Sequence, residues 1–225
     1  MNPTQLTALP PLSLYIHIPW CLQKCPYCDF NSHTIKTTLD EDAYVQALLT
    51  DLQYELPHFW GRGIETVFIG GGTPSVFSVS AIDRLLSGIR ALVKLNPEAE
   101  ITLEANPGTF DHDKFQGFRS AGINRLSIGV QSFDDAALRH LRRRHDSQGA
   151  IRAVGRCLEA GFTDISIDLI FGFPKQTLDE WAIDLQKAIE LDVVHISAYS
   201  LMYEEGTPLF KLLQQHHVSE IDECK

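Results

Sequence analysis

The hydrophobic period of this chain switches repeatedly, and that switching limits what it can fold into. Short segments alternate apolar and polar residues at every second position, as strands do. Each is followed by a longer segment with an apolar stripe at helical spacing. The strand-like segments are residues 11–19, 66–69, 100–107, 125–131, 164–170 and 195–202. Helical patterns run from Asp40 to about 56, from Ser78 or Ser80 to about 95, from 111 to 121, from Asp134 to about 143, from 147 to 160, from Thr177 to about 191, and from Pro208 to 217. Asp40 has the character of an N-cap, and Asp179 and Glu180 suit a first helical turn. Gly122 and Gly161 read as helix stops. Strands joined through helices need right-handed crossovers, so the sheet is expected to be parallel.

The alternation also selects the kind of parallel sheet. Strands covered by helices on both faces are apolar throughout. Here Leu14, Ile16 and Ile18 oppose Tyr15 and His17, and Ile101 and Leu103 oppose Thr102, Glu104 and Asn106. Leu126, Ile128 and Val130 oppose Ser127, Gly129 and Gln131, while Ile165, Ile167 and Leu169 oppose Ser166 and Asp168. One face is therefore expected under helices and the other on the concave side of a curved sheet. A closed eight-stranded barrel fills that side with branched apolar residues. Small and polar residues point instead to an α/β fold of partial (β/α)6 type, open on one side and hollow enough for a polar ligand. Glu104, Gln131 and Asp168 fall late in their strands, on the C-terminal rim where β/α barrels carry their sites.

Cys21, Cys25 and Cys28, spaced C-x3-C-x2-C, leave from the same rim after the first strand. Structural zinc takes four ligands, so a zinc site here needs His17 or His33 as the fourth. Closely spaced thiolates also suit iron–sulfur clusters. Three of them on a cubane leave one iron free for a small molecule, and the spacing favours this reading. An odd number of thiols argues against a disulfide framework. Cys157 reads as a packed small hydrophobe, and Cys224 in the polar tail carries no signal. His17, on the polar face beside the thiols, is the histidine best placed for a functional part.

Gly70-Gly71-Gly72-Thr73-Pro74 follows the second strand. It has neither dinucleotide-fingerprint nor P-loop spacing. Consecutive glycines either make a tight turn or let a ligand approach the backbone, and the entropic cost of three favours the ligand. Carboxylates and an amide on the rim suit ribose hydroxyls or an amine, and Arg143 suits a carboxylate.

A net charge of −10 argues against a nucleic-acid surface. The basic run Arg139-His140-Leu141-Arg142-Arg143-Arg144-His145 reads as a solvated helix face or a contact for one anionic ligand. No apolar stretch reaches membrane-spanning length, and residues 1–10 lack the charged start of a signal peptide. A reducing, cytoplasmic location is expected.

Taken together, the cysteine spacing and the Gly-Gly-Gly-Thr-Pro loop resemble the radical S-adenosylmethionine (SAM) superfamily. Tyr15-Ile16-His17-Ile18-Pro19, Glu104-Ala105-Asn106-Pro107, Gly129-Val130-Gln131-Ser132-Phe133 and Ile167-Asp168-Leu169-Ile170-Phe171-Gly172-Phe173-Pro174 are more closely similar to the oxygen-independent coproporphyrinogen III oxidase family. The resemblance runs from about residue 12 to 208. It implies a [4Fe–4S] cluster on Cys21, Cys25 and Cys28, with SAM on the open iron and Tyr15, Gly71 and Glu104 in contact with it. In the oxidases a second SAM is held by residues matching Tyr27, Gly72, Thr73, Gln131, Arg143, Asp168 and Met202.

The oxidases carry a fourth cysteine where this chain has Phe30, and a longer segment before the first strand. Both departures resemble the haem chaperone branch of the family. That branch implies haem or porphyrin as ligand, haem-accepting proteins as partners, a reductant such as a flavodoxin or ferredoxin, and a homodimer among its assemblies. The alternative is oxidative decarboxylation of coproporphyrinogen propionates. Arg142-Arg143-Arg144-His145 stands where relatives usually show Gly-Arg-x-His, which calls the local turn into question. Residues 1–11 read as a tail, 12–208 as the radical SAM core and 209–225 as the start of a C-terminal region that is truncated relative to the family.

Overall fold

The computed structural model describes residues 8–109 and 112–220. Asp111, the expected start of one helix, lies outside the described residues, as do residues 1–7 of the tail and the terminal segment with Cys224.

Six strands form one parallel sheet: β1 (Leu12–Ile18), β4 (Ile64–Gly71), β5 (Leu95–Ala105), β6 (Arg125–Gln131), β7 (Asp164–Phe171) and β8 (His195–Ser200). They lie side by side in chain order, with β1 and β8 at the edges. This order explains the half-barrel. Right-handed crossovers that always add the next strand on the same side put every connecting helix on one face. The opposite face stays free of helices and becomes concave as the strands twist. A doubly wound sheet, whose order reverses, has no such free face.

The connecting helices are α1 (Glu41–Phe59), α2 (Val79–Leu92), α3 (His112–Ala121), α4 (Asp135–His140), α5 (Ser147–Glu159) and α6 (Leu178–Glu190), and α7 (Pro208–Gln214) follows β8. Their starts follow local capping chemistry. Asp40 accepts from Ala43 N at 3.0 Å, and Ser78, rather than Ser80, accepts from Ala81 N at 3.2 Å. Thr177 and Glu180 form a reciprocal capping box. Val67, Ile69, Leu103, Leu126, Ile128 and Ile167 bury their side chains against Leu85 and Leu86 of α2, Phe115 and Phe118 of α3, and Val154 of α5. Cys157 is buried in the same core, as its helical position implied.

Several boundaries differ from the sequence expectation by two residues or more, and three of them have a visible cause in the backbone. β5 begins at Leu95 rather than near 100, because Ile64 pairs with Leu95 before the register jumps to Thr66 and Glu100. α2 accordingly stops at Leu92. The helix expected from Asp134 to 143 ends at His140, since Arg142 turns into the left-handed region at φ 53°.

Two short strands, β2 (Trp20–Cys21) and β3 (His33–Thr34), pair with each other in parallel. His33 N donates to Pro19 O at 2.6 Å and Ile35 N to Cys21 O at 2.9 Å. The cysteine loop therefore leaves and re-enters the fold through one braced gateway. Nothing in the hydrophobic pattern announced this pair, because two-residue strands are too short to show a period.

The concave side is not hollow throughout. Near the N-terminal end Arg125 lies 3.3 Å from Asp164 and 3.8 Å from Glu100, and donates to Thr102 Oγ1 at 3.3 Å. Ser166 Oγ bonds His195 Nδ1 at 2.8 Å. This polar layer closes the bottom, and the space opens only above it. Among the described residues no helix is long and apolar enough to cross a membrane.

Candidate functional site

Above the polar layer lies a cavity of about 600 Å³ at the C-terminal ends of the strands. Twelve of the thirteen residues expected at the site line it, including all three loop cysteines, the Gly71–Thr73 turn, and Glu104, Gln131, Arg143 and Asp168. Tyr15 is the exception. It is 56% exposed, and its hydroxyl bonds His17 Nδ1 at 2.8 Å, outside the lining.

The thiols are individually placed. Cys21 is buried and receives a hydrogen bond from Thr73 Oγ1 at 3.5 Å. Burial pushes the Cys21 thiol up from its ordinary range. Arg143 Nη1 donates to Cys25 Sγ at 3.3 Å, and Ser32 Oγ is 3.8 Å from Cys28 Sγ. Each sulfur thus has a polar side chain suited to the charge of a thiolate. Lys24 Nζ donates to Phe30 O at 2.9 Å and Ser32 O at 3.2 Å, pinning the far side of the loop. A small cluster of Ile170, Phe173, Leu201 and Leu209 packs on Tyr27, and Leu209 N donates to Pro26 O at 2.9 Å. The segment after β8 therefore holds the loop from below.

Gly71 and Gly72 each have a reason within the chain itself. A Cβ at Gly72 would stand 2.7 Å from Trp20 O, and one at Gly71 would meet the His17 ring at 2.6 Å. Gly71 also sits at φ 118° and donates its N–H to Glu104 Oε2 at 3.0 Å. Close packing of the turn on β1 and β2 thus accounts for Gly71 and Gly72, which also face the cavity.

The rim carboxylates are set by burial. Burial raises Glu104 to about 7, against the pull of the Gly71 N–H and with the help of Asp168. Asp168 is raised for the same reason, opposed by the hydroxyls of Ser127 and Ser197. Ser127 Oγ reaches both Asp168 oxygens, at 3.2 and 3.3 Å. Gln131 ends β6 at φ 72°, just past a register shift against β7. Such backbone outliers cost of order 1–3 kcal/mol and tend to mark sites.

Arg143 is the hub. Besides Cys25, it donates to Gly129 O at 2.7 Å and to Asn106 Oδ1. Asn106 Nδ2 in turn donates to Thr73 Oγ1 at 2.9 Å. The sequence reading did not single out Asn106, although it lies two residues after Glu104 on the same strand face. Lys24 gave no signal, because its role depends on how the loop folds.

Both ring nitrogens of His17 are engaged, Nδ1 by Tyr15 and Nε2 by Asn31 O at 2.8 Å. His17 thereby bridges β1 and the cysteine loop. His33 bonds Asn31 Oδ1 at 3.2 Å. Among the described residues no three Cys, His, Asp or Glu side chains gather closely enough to hold one ion.

A parallel half-barrel with three thiols on the loop after its first strand is the architecture of a radical SAM domain. The Radical SAM superfamily model matches residues 15–188, and the chain belongs to that superfamily. Membership implies a [4Fe–4S] cluster and SAM, and the donor set described above fits both. Within the superfamily the chain is 51% identical over 202 residues to "Heme chaperone HemW" of Escherichia coli K12, covering 90% of this chain and 53% of that protein. It is 50% identical over 203 residues to the protein of the same name from Haemophilus influenzae, again covering 53% of it. A solved structure titled "Coproporphyrinogen III oxidase (HemN) from Escherichia coli is a Radical SAM enzyme" superposes with a TM-score of 0.82 at 32% identity, covering 95% of this chain and 49% of that one. The chain spans about half the length of these relatives.

Proposed function

We propose that this chain is the cluster- and SAM-binding core of a haem chaperone. The observation that carries the reading is the single cavity shared by three thiols, a glycine turn and a buried carboxylate pair, with Phe30 where the oxidases have a fourth cysteine. Similarity to proteins named haem chaperones supports the same branch.

Cys21, Cys25 and Cys28 hold the cluster, which supplies a metal site for SAM and one-electron chemistry when bound. Thr73 and Arg143 stabilise thiolate charge at Cys21 and Cys25. Gly71 and Glu104, already bonded to each other, line the wall for the amino-acid end of SAM, and Tyr15 stands at its edge. Tyr27, Gly72, Thr73, Gln131, Arg143, Asp168 and Met202 surround the remaining volume, where a second SAM or a haem edge is accommodated. Met202 and Phe30, 59% and 62% exposed, flank the mouth through which haem enters and leaves toward acceptor proteins.

Anaerobic reconstitution with iron and sulfide tests this directly. The expected product is brown, its reduced-cluster EPR signal changes when SAM is added, and it binds haem in an optical titration. A colourless product refutes cluster binding. Conversion of coproporphyrinogen to protoporphyrinogen by the same sample would replace the chaperone reading with the oxidase one.

A further inference from the structure

The basic run does not act as one face. Arg143 turns inward to Cys25, while its neighbours Arg142 and Arg144 are exposed. Outside, Arg144 joins Arg152 and Arg156 around an open hollow of about 580 Å³ at the start of α5. Arg152 leans toward Asp146 at 3.7 Å. Arg144 and Arg156 have no acidic partner among the described residues. In a chain of net charge −10 this is a concentrated positive surface. A narrow cleft of about 40 Å³ shares Arg144 and His145 with the hollow, and Cys25 and Arg143 with the main cavity. The hollow therefore adjoins, through this cleft, the arginine and the thiol that line the main cavity, and shares no lining residue with that cavity directly.

We propose that the arginine hollow is the docking surface for an acidic, low-potential electron-transfer protein that reduces the cluster from the side of Cys25. The inference rests on the cluster reading given above. A small anion needs only one or two of these arginines and no route to Cys25, whereas a reductant needs both charge complementarity and closeness to the cluster. Its electron passes through packed atoms, so it need not enter the cavity. One electron leaves the donor's reduced flavin or iron–sulfur centre, the cluster gains it, and no atom moves between the two proteins. Opposed charge steers such encounters and makes them sensitive to salt.

The test uses the whole chain, reconstituted anaerobically, with a bacterial flavodoxin as the probe. Affinity is measured by calorimetry at low and high salt, and cluster bleaching is followed after mixing with reduced flavodoxin. Arg152→Glu with Arg156→Glu should weaken binding about tenfold at low salt and slow bleaching in proportion, while Arg152→Lys with Arg156→Lys retains both. Bleaching by dithionite, too small to need the surface, should be unchanged in every variant. Affinity that ignores the charge reversal overturns the proposal, and so does an equal loss of rate with dithionite. Tighter binding of an oligonucleotide, abolished by the same reversal, would reassign the hollow to nucleic acid and also overturn it. A colourless reconstituted protein removes the underlying cluster reading. Failure of docking alone leaves the brown chromophore intact.

Discussion

On the helix-covered face of the sheet, Val67, Ile69, Leu103, Leu126, Ile128 and Ile167 are almost or wholly buried against apolar neighbours. On the opposite face the same strands carry Glu104, Ser127, Gly129, Gln131 and Asp168, two of them carboxylates pushed up by burial and one on a strained backbone. The first face obeys packing alone. The second retains groups that packing does not reward, and that excess marks where the chain holds something other than itself.

The comparison breaks most readily at Leu103. Leu103→Ala removes a fully buried side chain from the middle of the apolar face and should lower unfolding free energy by about 2–5 kcal/mol in urea titrations. Ser127→Ala, across the sheet, should cost about 1 kcal/mol and act mainly by releasing Asp168. Equal losses would mean that the two faces contribute alike to stability.

Glu104 sharpens the comparison through pH. Its folded carboxyl is raised to about 7, so the folded state holds a proton that the unfolded chain releases near its ordinary value of 4.5. The contribution to stability is present at acid pH and is lost as pH rises from about 4.5 to 7, amounting to about 3 kcal/mol over that window. Glu104→Gln should flatten this slope in ligand-free thermal melts. If the carboxylate receives the cationic amine of SAM, affinity should rise through the same window in the parent and stay level in the variant. A parent with no slope between pH 4.5 and 7 would sink the assignment of a raised Glu104.

The faces themselves were legible because period two is a local property. Alternation at Leu14 to Ile18 and at Ile101 to Asn106 sorts side chains before any tertiary contact is known. Chain-order strand packing was not visible there, but the unrewarded polar positions implied it. The cysteine spacing was legible for the same local reason. The braces of the loop were not. Lys24, the β2–β3 gateway and the contact of Leu209 with Pro26 depend on how distant segments meet. His17 shows a further contact that no local pattern reveals. Its position beside the thiols was legible, but its bonds to Tyr15 and to the backbone of Asn31 were not.

Gly72 lies where the two kinds of constraint meet. It faces the cavity, yet a Cβ there would stand 2.7 Å from backbone that cannot yield as a flexible side chain does. Gly72→Ala should cost about 1–3 kcal/mol by overpacking, and should displace Trp20 and with it the entry to the cysteine loop. A variant of unchanged stability with lowered SAM affinity would show that the glycine serves the ligand and not the turn.

The smallest expected effect is at Arg142, where the sequence resemblance leads to an expectation of glycine. Arg142 holds φ 53°, a region in which a residue with a Cβ is strained by about 1–2 kcal/mol. The turn nevertheless forms, because Arg143 N donates to Leu138 O at 2.9 Å and Gln23 Nε2 reaches Arg142 O at 3.3 Å. Those bonds bring Arg143 inward, whatever side chain precedes it. Arg142→Gly relieves the strain but adds backbone freedom to the unfolded chain, which returns about 0.5–1 kcal/mol of the gain. The net expectation is a stabilisation of about 0.5–1 kcal/mol, with the cluster chromophore unchanged. A loss of stability instead would mean that the exposed arginine side chain contributes more than its backbone costs.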